Sequence, residues 1–421
     1  MNKAQIGRSF DRRSFIRSAG LGVGAGILGM QYSCKSGAVT VATPPVVADE
    51  TVITPPAIQG FDDIGDESNA KKIWTPISDR KIRVGLVGFG YCQFSAQFGF
   101  QNHPNVEIVA VSDLIPERCA QLAKVARCDK TYPSLEEMVK DPNIEAIFVA
   151  TDAPRHAQNC IDVLNHGKHV ASAVPAVWGS LDDAHRLFET VKRTGLKYMM
   201  FETSMFHAQL YAMRQIHQAG GFGNIVYTEG EYFHYTNQPI PSFENWRVGF
   251  PPQWYPTPGD AYYIGVSGGS FLEVSCHGTR VDMESYQPNN NAYKNPFANE
   301  VALHRTSDGG TARMAACFHV YGYHCECGRL RGTKGSYDNR YSGMVQNLPN
   351  LERPPLPTGV EAGGHGGSHG RLMDEFVTSI LQDRKPLVDI ATALNMTVGG
   401  IVAHQSAMRD GELLKIPQFK L

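Results

Sequence analysis

Short apolar runs separated by mixed, helix-like stretches set the rhythm of the chain between residues 81 and 201. Lys81-Ile82-Arg83-Val84-Gly85-Leu86-Val87 reads as a buried strand. Val106-Glu107-Ile108-Val109-Ala110-Val111-Ser112 reads as a second, and Ile144-Glu145-Ala146-Ile147-Phe148-Val149-Ala150 as another. Gly167-Lys168-His169-Val170 turns into a further strand, and Lys197-Tyr198-Met199-Met200-Phe201 closes the series. Helical stretches fall between them, opening near Cys92 and at Pro116, then over Glu136 to Lys140 and His156 to His166. Strands alternating with helices predict right-handed βαβ units and a parallel sheet. Ligands bind such sheets outside the carboxyl ends of the strands, so Gly88, Gly90, Asp113, Thr151 and Val174 are expected along one rim.

From about Ser204 the rhythm changes. Strand patterns occupy Ile225 to Tyr232, Glu300 to Arg305, Thr311 to Val320 and His324 to Gly332, with few helices between them. The expected fold is therefore an α/β Rossmann N-terminal domain over residues 79–203, followed by an α+β domain over 204–421. The second domain carries an open, mostly antiparallel sheet, and a C-terminal helix returns to the first.

The start of the chain has no such rhythm. Asp11-Arg12-Arg13-Ser14-Phe15-Ile16-Arg17 resembles a twin-arginine export signal. The apolar run from Ala19 to Met30 is shorter than the ~20 residues of a membrane-spanning helix. Residues 1–34 are read as an export signal and 35–78 as a linker stiffened by Pro44-Pro45 and Pro55-Pro56. Cys34 stands where a lipid anchor could be attached. The expected location is the periplasm or cell envelope. Lysines and arginines number 39 against 41 acids, and the net charge of −2 gives no basic footprint for nucleic acid. The nine cysteines show no paired zinc spacing, so no metal is expected. Cys325 and Cys327 share a strand face and are read as packing residues. Export after folding would remove the usual reason to expect disulfides.

Chemistry enters at the first strand's end. Gly88-Phe89-Gly90-Tyr91-Cys92 joins that strand to a helix, the arrangement that presents backbone N–H groups to a pyrophosphate. Gln93 stands where a third glycine would complete the fingerprint. Asp113 ends the second strand, roughly the ~20 residues downstream expected of an acid that meets the ribose hydroxyls. It could instead cap the helix at Pro116. The ribose reading favours NAD, because a carboxylate there repels a 2′-phosphate.

The stretch AIFVATDAPRHAQNCIDVLNHGKHV is similar to the Gfo/Idh/MocA family. That resemblance implies nicotinamide-nucleotide contacts from Ala153, Pro154, Arg155 and His156, next to Thr151 on the rim. Ala173 and Val174, and Glu202-Thr203 after the strand Lys197 to Phe201, stand at strand ends expected to reach the same cofactor rim. The family's Glu-Lys-Pro is here Ala173-Val174-Pro175, so the usual lysine role is empty. Further along, KYMMFETSMF, NWRVGF, WYPTP and GGHGGSHGRLMDEFVTSI resemble glycoside hydrolase family 109. That branch implies a Tyr-Pro-Thr-His motif, whose last position is Pro258 here.

Gly268-Gly269 looks like the family's glycine pair leading into an acid-x-x-x-His helix, with Glu273 and His277 on one face. These two and Tyr255 are the expected catalytic groups. Tyr232, Trp246, Arg247, Tyr255, Thr257, Pro258, His277 and Tyr323 are the expected sugar contacts, because aromatic faces with polar tips suit sugars. His365 and His369 suggest a metal, but the surrounding glycines favour a loop leading into a helix from Arg371.

The functional expectation is an exported sugar or glycoside oxidoreductase with tightly held NAD, oxidising a ring hydroxyl such as C3. A redox-neutral NAD-dependent glycosidase and an inactive sugar-binding protein are the alternatives. The expected partners are a sugar and further copies of the chain, as a dimer or tetramer.

Overall fold

The computed structural model describes residues 73–421. The export signal, Cys34 and nearly all of the linker lie outside the described residues.

The first sheet has six strands: β1 (Ile82–Val87), β2 (Val106–Ser112), β3 (Thr131–Tyr132), β4 (Ala146–Val149), β5 (His169–Ser172) and β6 (Tyr198–Met200). All are parallel, in the order β3-β2-β1-β4-β5-β6. β4 and most of β1 are buried along their length, as a sheet covered by helices on both faces requires. Connectivity reverses direction between β1 and β4, and the crevice at that point is where such folds bind nucleotides. Helix Leu181–Thr194 shows the local logic of the connections. Ser180 accepts the Asp183 N–H at its start, and Gly195 ends it in the left-handed conformation.

The second sheet runs β7 (Ile225–His234), β8 (Phe271–Arg280), β9 (Phe297–Thr306), β10 (Thr311–Cys317), β11 (His324–Gly332), β12 (Gly335–Tyr337), β13 (Tyr341–Gly343) and β14 (Leu414–Lys415). Its order is β13-β12-β11-β7-β10-β9-β8-β14. Every pairing is antiparallel except β7 with β10. From Tyr227 onwards β7 alternates. Thr228, Gly230, Tyr232 and His234 are buried on the inner face. Glu229 and Glu231 point outward to Arg313 and Arg329. Helix Thr257–Ser267, buried at every position from 257 to 266, packs against the inner face. Helix Ile390–Ala407 crosses from β8 towards the first sheet, and just before it the Val388 carbonyl accepts the Met200 N–H at 3.1 Å.

Two expectations are corrected here. The acid-x-x-x-His helix does not form. Gly268 ends the preceding helix at φ 72, and residues 271–280 form β8. A two-residue period explains this, since Phe271, Val274 and Cys276 are buried once a bulge between 271 and 273 resets the phase. The second correction concerns Cys325 and Cys327, which are joined by a disulfide. As alternate residues of β11 they project from the same outer face, and their Cα atoms are 5.6 Å apart, within disulfide reach.

Candidate active site

β1 ends on a turn that only glycine can make. Gly88 has φ +85, and a Cβ there would lie 2.5 Å from the Ala150 carbonyl oxygen. Gly90, at φ +58, faces open space. Gln93 adopts the left-handed conformation and starts a single helical turn, Phe94–Gln97, so no long helix has to pack where the third glycine is missing.

Asp113 draws this turn together. One carboxylate oxygen accepts the Phe89 N–H at 2.8 Å and the Gly90 N–H at 3.4 Å, and the other accepts the Ile115 N–H at 2.8 Å. A carboxylate has about four acceptor positions, so one remains for a ribose hydroxyl. Asp113 does not cap the helix at Pro116, whose N-cap is Ile115 with no side-chain cap; it braces the glycine turn and lines the crevice.

The crevice is a cleft of about 470 Å³. Of the expected cofactor contacts, Gly88, Phe89, Gly90, Tyr91, Cys92, Asp113, Thr151 and Arg155 line it. Ala153 and Pro154 do not. His156 is buried, with Nδ1 2.8 Å from the Pro175 carbonyl and Nε2 3.1 Å from the Thr151 carbonyl, so it braces two loops behind the cleft. The cleft also gathers groups that the sequence reading missed: Arg118, Asp152 and the segment Ser242–Glu244. Asp152 accepts the Trp246 indole N–H at 3.1 Å, and Arg247 stacks over that indole at 4.2 Å. Glycine turn, carboxylate and nearby guanidinium groups form a cradle suited to a dinucleotide.

A smaller pocket continues from the cleft past Phe94, which lines both. Ala173, Val174 and Thr203 enter it from the first sheet. Tyr232, Tyr255 and Pro258 enter from the second domain. The remaining polar walls are Glu326 and His365. The Tyr232 and Tyr255 rings stack at 5.8 Å, and burial raises both hydroxyls above the ordinary tyrosine range. Both are thus neutral hydrogen-bond donors. Glu202 lies behind this wall. It is fully buried, accepts the Ser204 N–H at 2.9 Å and sits beside Thr257. Burial pushes its carboxyl up to about 7. Neither Glu202 nor Thr257 lines the cleft or the pocket.

His365 reaches the pocket from an unusual loop. Residues Gly363–Gly367 carry φ values of +74 at Gly363, +49 at His365 and +63 at Gly366. A left-handed histidine between glycines is costly and is a sign of a constrained site. Buried Arg353 holds the loop by donating to the Phe206 carbonyl at 3.0 Å and to the Gly366 carbonyl. Ser368 Oγ donates to the His365 carbonyl at 2.9 Å. His365 Nδ1 lies 2.8 Å from His369 Nε2, and His207 Nε2 lies 3.3 Å from Glu326 Oε2. Burial lowers all three imidazoles, pushing His207 and His369 down to about 4. The helix after the loop begins at His369, two residues earlier than expected.

The expected catalytic pair lies elsewhere. Glu273 pairs with Arg305 at 3.2 Å, and His277 is exposed against Gly411 on the outer sheet face. Tyr323 is 47% exposed beside Phe233 and lines neither cavity. The structure therefore unites Tyr232, Tyr255, Pro258, Val174 and Thr203, with Trp246 and Arg247 in the adjoining cleft. It leaves out Glu273, His277 and Tyr323. His365, expected only as part of a glycine-rich loop, is brought to the pocket together with Glu326, and its signal was a histidine set among four glycines.

Residues 82–202 match the model of an oxidoreductase family described as having an NAD-binding Rossmann fold. Among curated relatives, glycosyl hydrolase family 109 protein 1 of Bacteroides fragilis is 31% identical over 229 residues, 52% of this chain and 47% of that protein. A family 109 protein of Streptomyces niveus is 22% identical over 383 residues, 80% of this chain and 77% of its own. The chain thus spans about half the length of the first of these relatives. Scyllo-inositol dehydrogenase from Lactobacillus casei superposes with a TM-score of 0.65 at 15% identity, covering 80% of this chain and 99% of that one. A levoglucosan dehydrogenase, solved with NADH and levoglucosan, superposes with a TM-score of 0.65 at 17% identity, covering 80% and 100%. The glycine turn and the six-stranded order accord with this match of residues 82–202 to the Gfo/Idh/MocA oxidoreductase family, and the chain is similar to proteins of glycosyl hydrolase family 109.

Proposed function

We propose that the protein is an NAD-dependent oxidoreductase acting on a ring hydroxyl of a sugar or glycoside, such as the one on C3. The observation that carries this reading is the small pocket in which Val174 and Thr203 of the nucleotide-binding half meet Tyr232, Tyr255, Glu326 and His365. NAD, when bound, supplies the acceptor for a hydride from the sugar ring carbon. The cleft residues Gly88, Gly90 and Asp113 would hold it. Every other task falls to side chains of this chain. Tyr232 and Tyr255 donate hydrogen bonds that orient sugar hydroxyls. Phe94, Phe98 and Phe201 keep water from the reacting carbon. The neutral His365 imidazole accepts the hydroxyl proton, filling the role that Val174 cannot perform.

The matching relatives are named as glycosyl hydrolases, which favours a second reading: a redox-neutral cycle that ends in loss of the aglycone. Purified protein incubated with a panel of p-nitrophenyl glycosides separates the two. Lasting near-ultraviolet absorbance of reduced nicotinamide supports the oxidoreductase. Released nitrophenol without net reduction supports the glycosidase. In either case His365→Ala should lower turnover by ~10²-fold or more while NAD stays bound, and His277→Ala should leave it unchanged. Full turnover by the His365 variant would sink the assignment.

We also read Arg12-Arg13 as directing export of the folded protein to the periplasm or envelope. Little free NAD is available there, so resident cofactor suits the reading. Cell fractionation with an Arg12→Lys, Arg13→Lys variant tests it, and an unchanged periplasmic yield speaks against it. The outer sheet face, with exposed Val301 and Leu303, is the surface on which a homodimer or tetramer would form.

A further inference from the structure

The outer face of the second sheet carries a group of side chains that the sugar pocket does not use. Cys325 and Cys327 lie on the face of β11 turned away from that pocket and are joined by a disulfide, with their Cα atoms 5.6 Å apart. Glu231 stands opposite Cys327 on β7, and its Oε2 is 3.8 Å from the Cys327 Sγ. Arg313 of β10 donates to the other carboxylate oxygen, Oε1, and so fixes the direction in which Oε2 points. The two sulfurs and a Glu231 oxygen all lie within 4.8 Å of one another. Among the described residues, no other three histidine, cysteine or carboxylate ligands converge in this way. All three side chains are half-buried, so small reagents reach them from solvent.

We propose that Cys325, Cys327 and Glu231 form a redox-gated site for a thiophilic divalent cation such as Zn²⁺, available only when the disulfide is open. In the opening step the S–S bond breaks. An external dithiol supplies two electrons and two protons and leaves as its own disulfide. Ion binding then releases the two thiol protons to water and forms two metal–sulfur bonds. Soft thiolate ligands select such an ion over magnesium or calcium. Around a tetrahedral zinc, with Zn–S of ~2.3 Å and Zn–O of ~2.0 Å, ligand atoms lie roughly 3.5–3.8 Å apart. The Cys327–Glu231 separation already has that length. The two cysteines are alternate residues on one strand face, so their sulfurs can part to the same distance by side-chain rotation. Two thiolates and one carboxylate leave a single negative charge over a divalent ion, and the Arg313 guanidinium beside Glu231 balances it. The disulfide ties β11 only to itself, whereas the ion ties β11 to β7. On the reverse side of these two strands Glu326 is in register with Tyr232, and both line the sugar pocket. The ion therefore braces the back of that pocket.

The test uses the full chain, with Zn²⁺ as the probe and no substrate, so it stands apart from the catalytic reading. Protein reduced with a phosphine under metal-free conditions should bind one more Zn²⁺ per chain than the disulfide form. Native mass spectrometry and competition with a chromogenic chelator read this difference. Co²⁺ in place of Zn²⁺ should give the intense visible bands of tetrahedral thiolate coordination. Cys325→Ser should abolish the difference between the reduced and oxidised forms. Glu231→Gln should lower Zn²⁺ affinity at least ~10-fold, the cost of losing even an outer-shell partner. Equal uptake by the oxidised and reduced forms overturns the proposal. So does extra uptake that survives Cys325→Ser, because the ion then sits on other groups, and so does wild-type affinity in Glu231→Gln. A disulfide that yields to the reductant only as the chain unfolds, followed by circular dichroism, overturns it as well. If the serine variant does not fold, the glutamine variant decides alone.

Discussion

Gly88 and Glu202 show how far single residues set the site. At Gly88 an alanine would have to hold φ +85 with its Cβ 2.5 Å from the Ala150 carbonyl oxygen, so either the turn or β4 must move. Gly88→Ala is expected to weaken NAD binding at least ~10-fold, through strain of ~1–3 kcal/mol, as read by isothermal titration. Retained affinity would mean that the turn does not meet the phosphates. Glu202 gives a pH signature. Its folded carboxyl is raised from its ordinary value to about 7, so the native state holds a proton that the unfolded chain has released. Its contribution to stability is complete below about pH 4.5 and is lost as pH rises through about 7, amounting to ~3 kcal/mol. Comparing denaturant unfolding of the wild type with Glu202→Gln across that window should show the wild type losing stability relative to the variant. A difference that does not change with pH would contradict the buried, protonated carboxyl.

At the scale of elements, the glycine-rich loop at 363–367 exists to aim one side chain. Gly363 lies at φ +74 with space for a Cβ only 2.7 Å from that of His369. Gly363→Ala should displace the His365–His369 pair, lowering thermal stability by ~1–3 kcal/mol and turnover more than NAD affinity. An unchanged melting temperature would contradict it. This loop also marks where the sequence stopped being readable. The βαβ half was legible because strands buried on both faces read as continuous apolar runs, and because the glycine turn has local rules. β8 was not legible, since its buried residues Phe271, Val274 and Cys276 fall out of step across a bulge, and the four-residue spacing of Glu273 and His277 fits one face of a helix as well as one face of a strand. His365 and Glu326 meet only through tertiary contacts between the loop and β11. Nothing local to Cys325-Glu326-Cys327 says that its central residue faces a pocket while its neighbours form a disulfide on the other side.

On the scale of the whole molecule, the two sheets meet at a buried, aromatic seam that holds several histidines. His207, His234 and His369 are pushed down to about 4 by burial, and His304, stacked on Phe271 away from them, to about 3. Their folded values lie below the unfolded one, so the stability they contribute is complete above about pH 6.5 and is lost as pH falls towards 4. Between those limits unfolding takes up protons at these sites, against the smaller release from groups such as Glu202. A denaturation midpoint that rises as the pH is lowered through this range would contradict the buried, uncharged histidines. The account as a whole rests on the cleft at the β1–β4 switch point holding a dinucleotide. Native mass spectrometry of the purified full chain, alone and with added NAD, tests this most directly. The expected result is one NAD or NADH per chain, lost in Gly88→Ala. A wild-type protein that carries no dinucleotide and takes none up at millimolar NAD would contradict it.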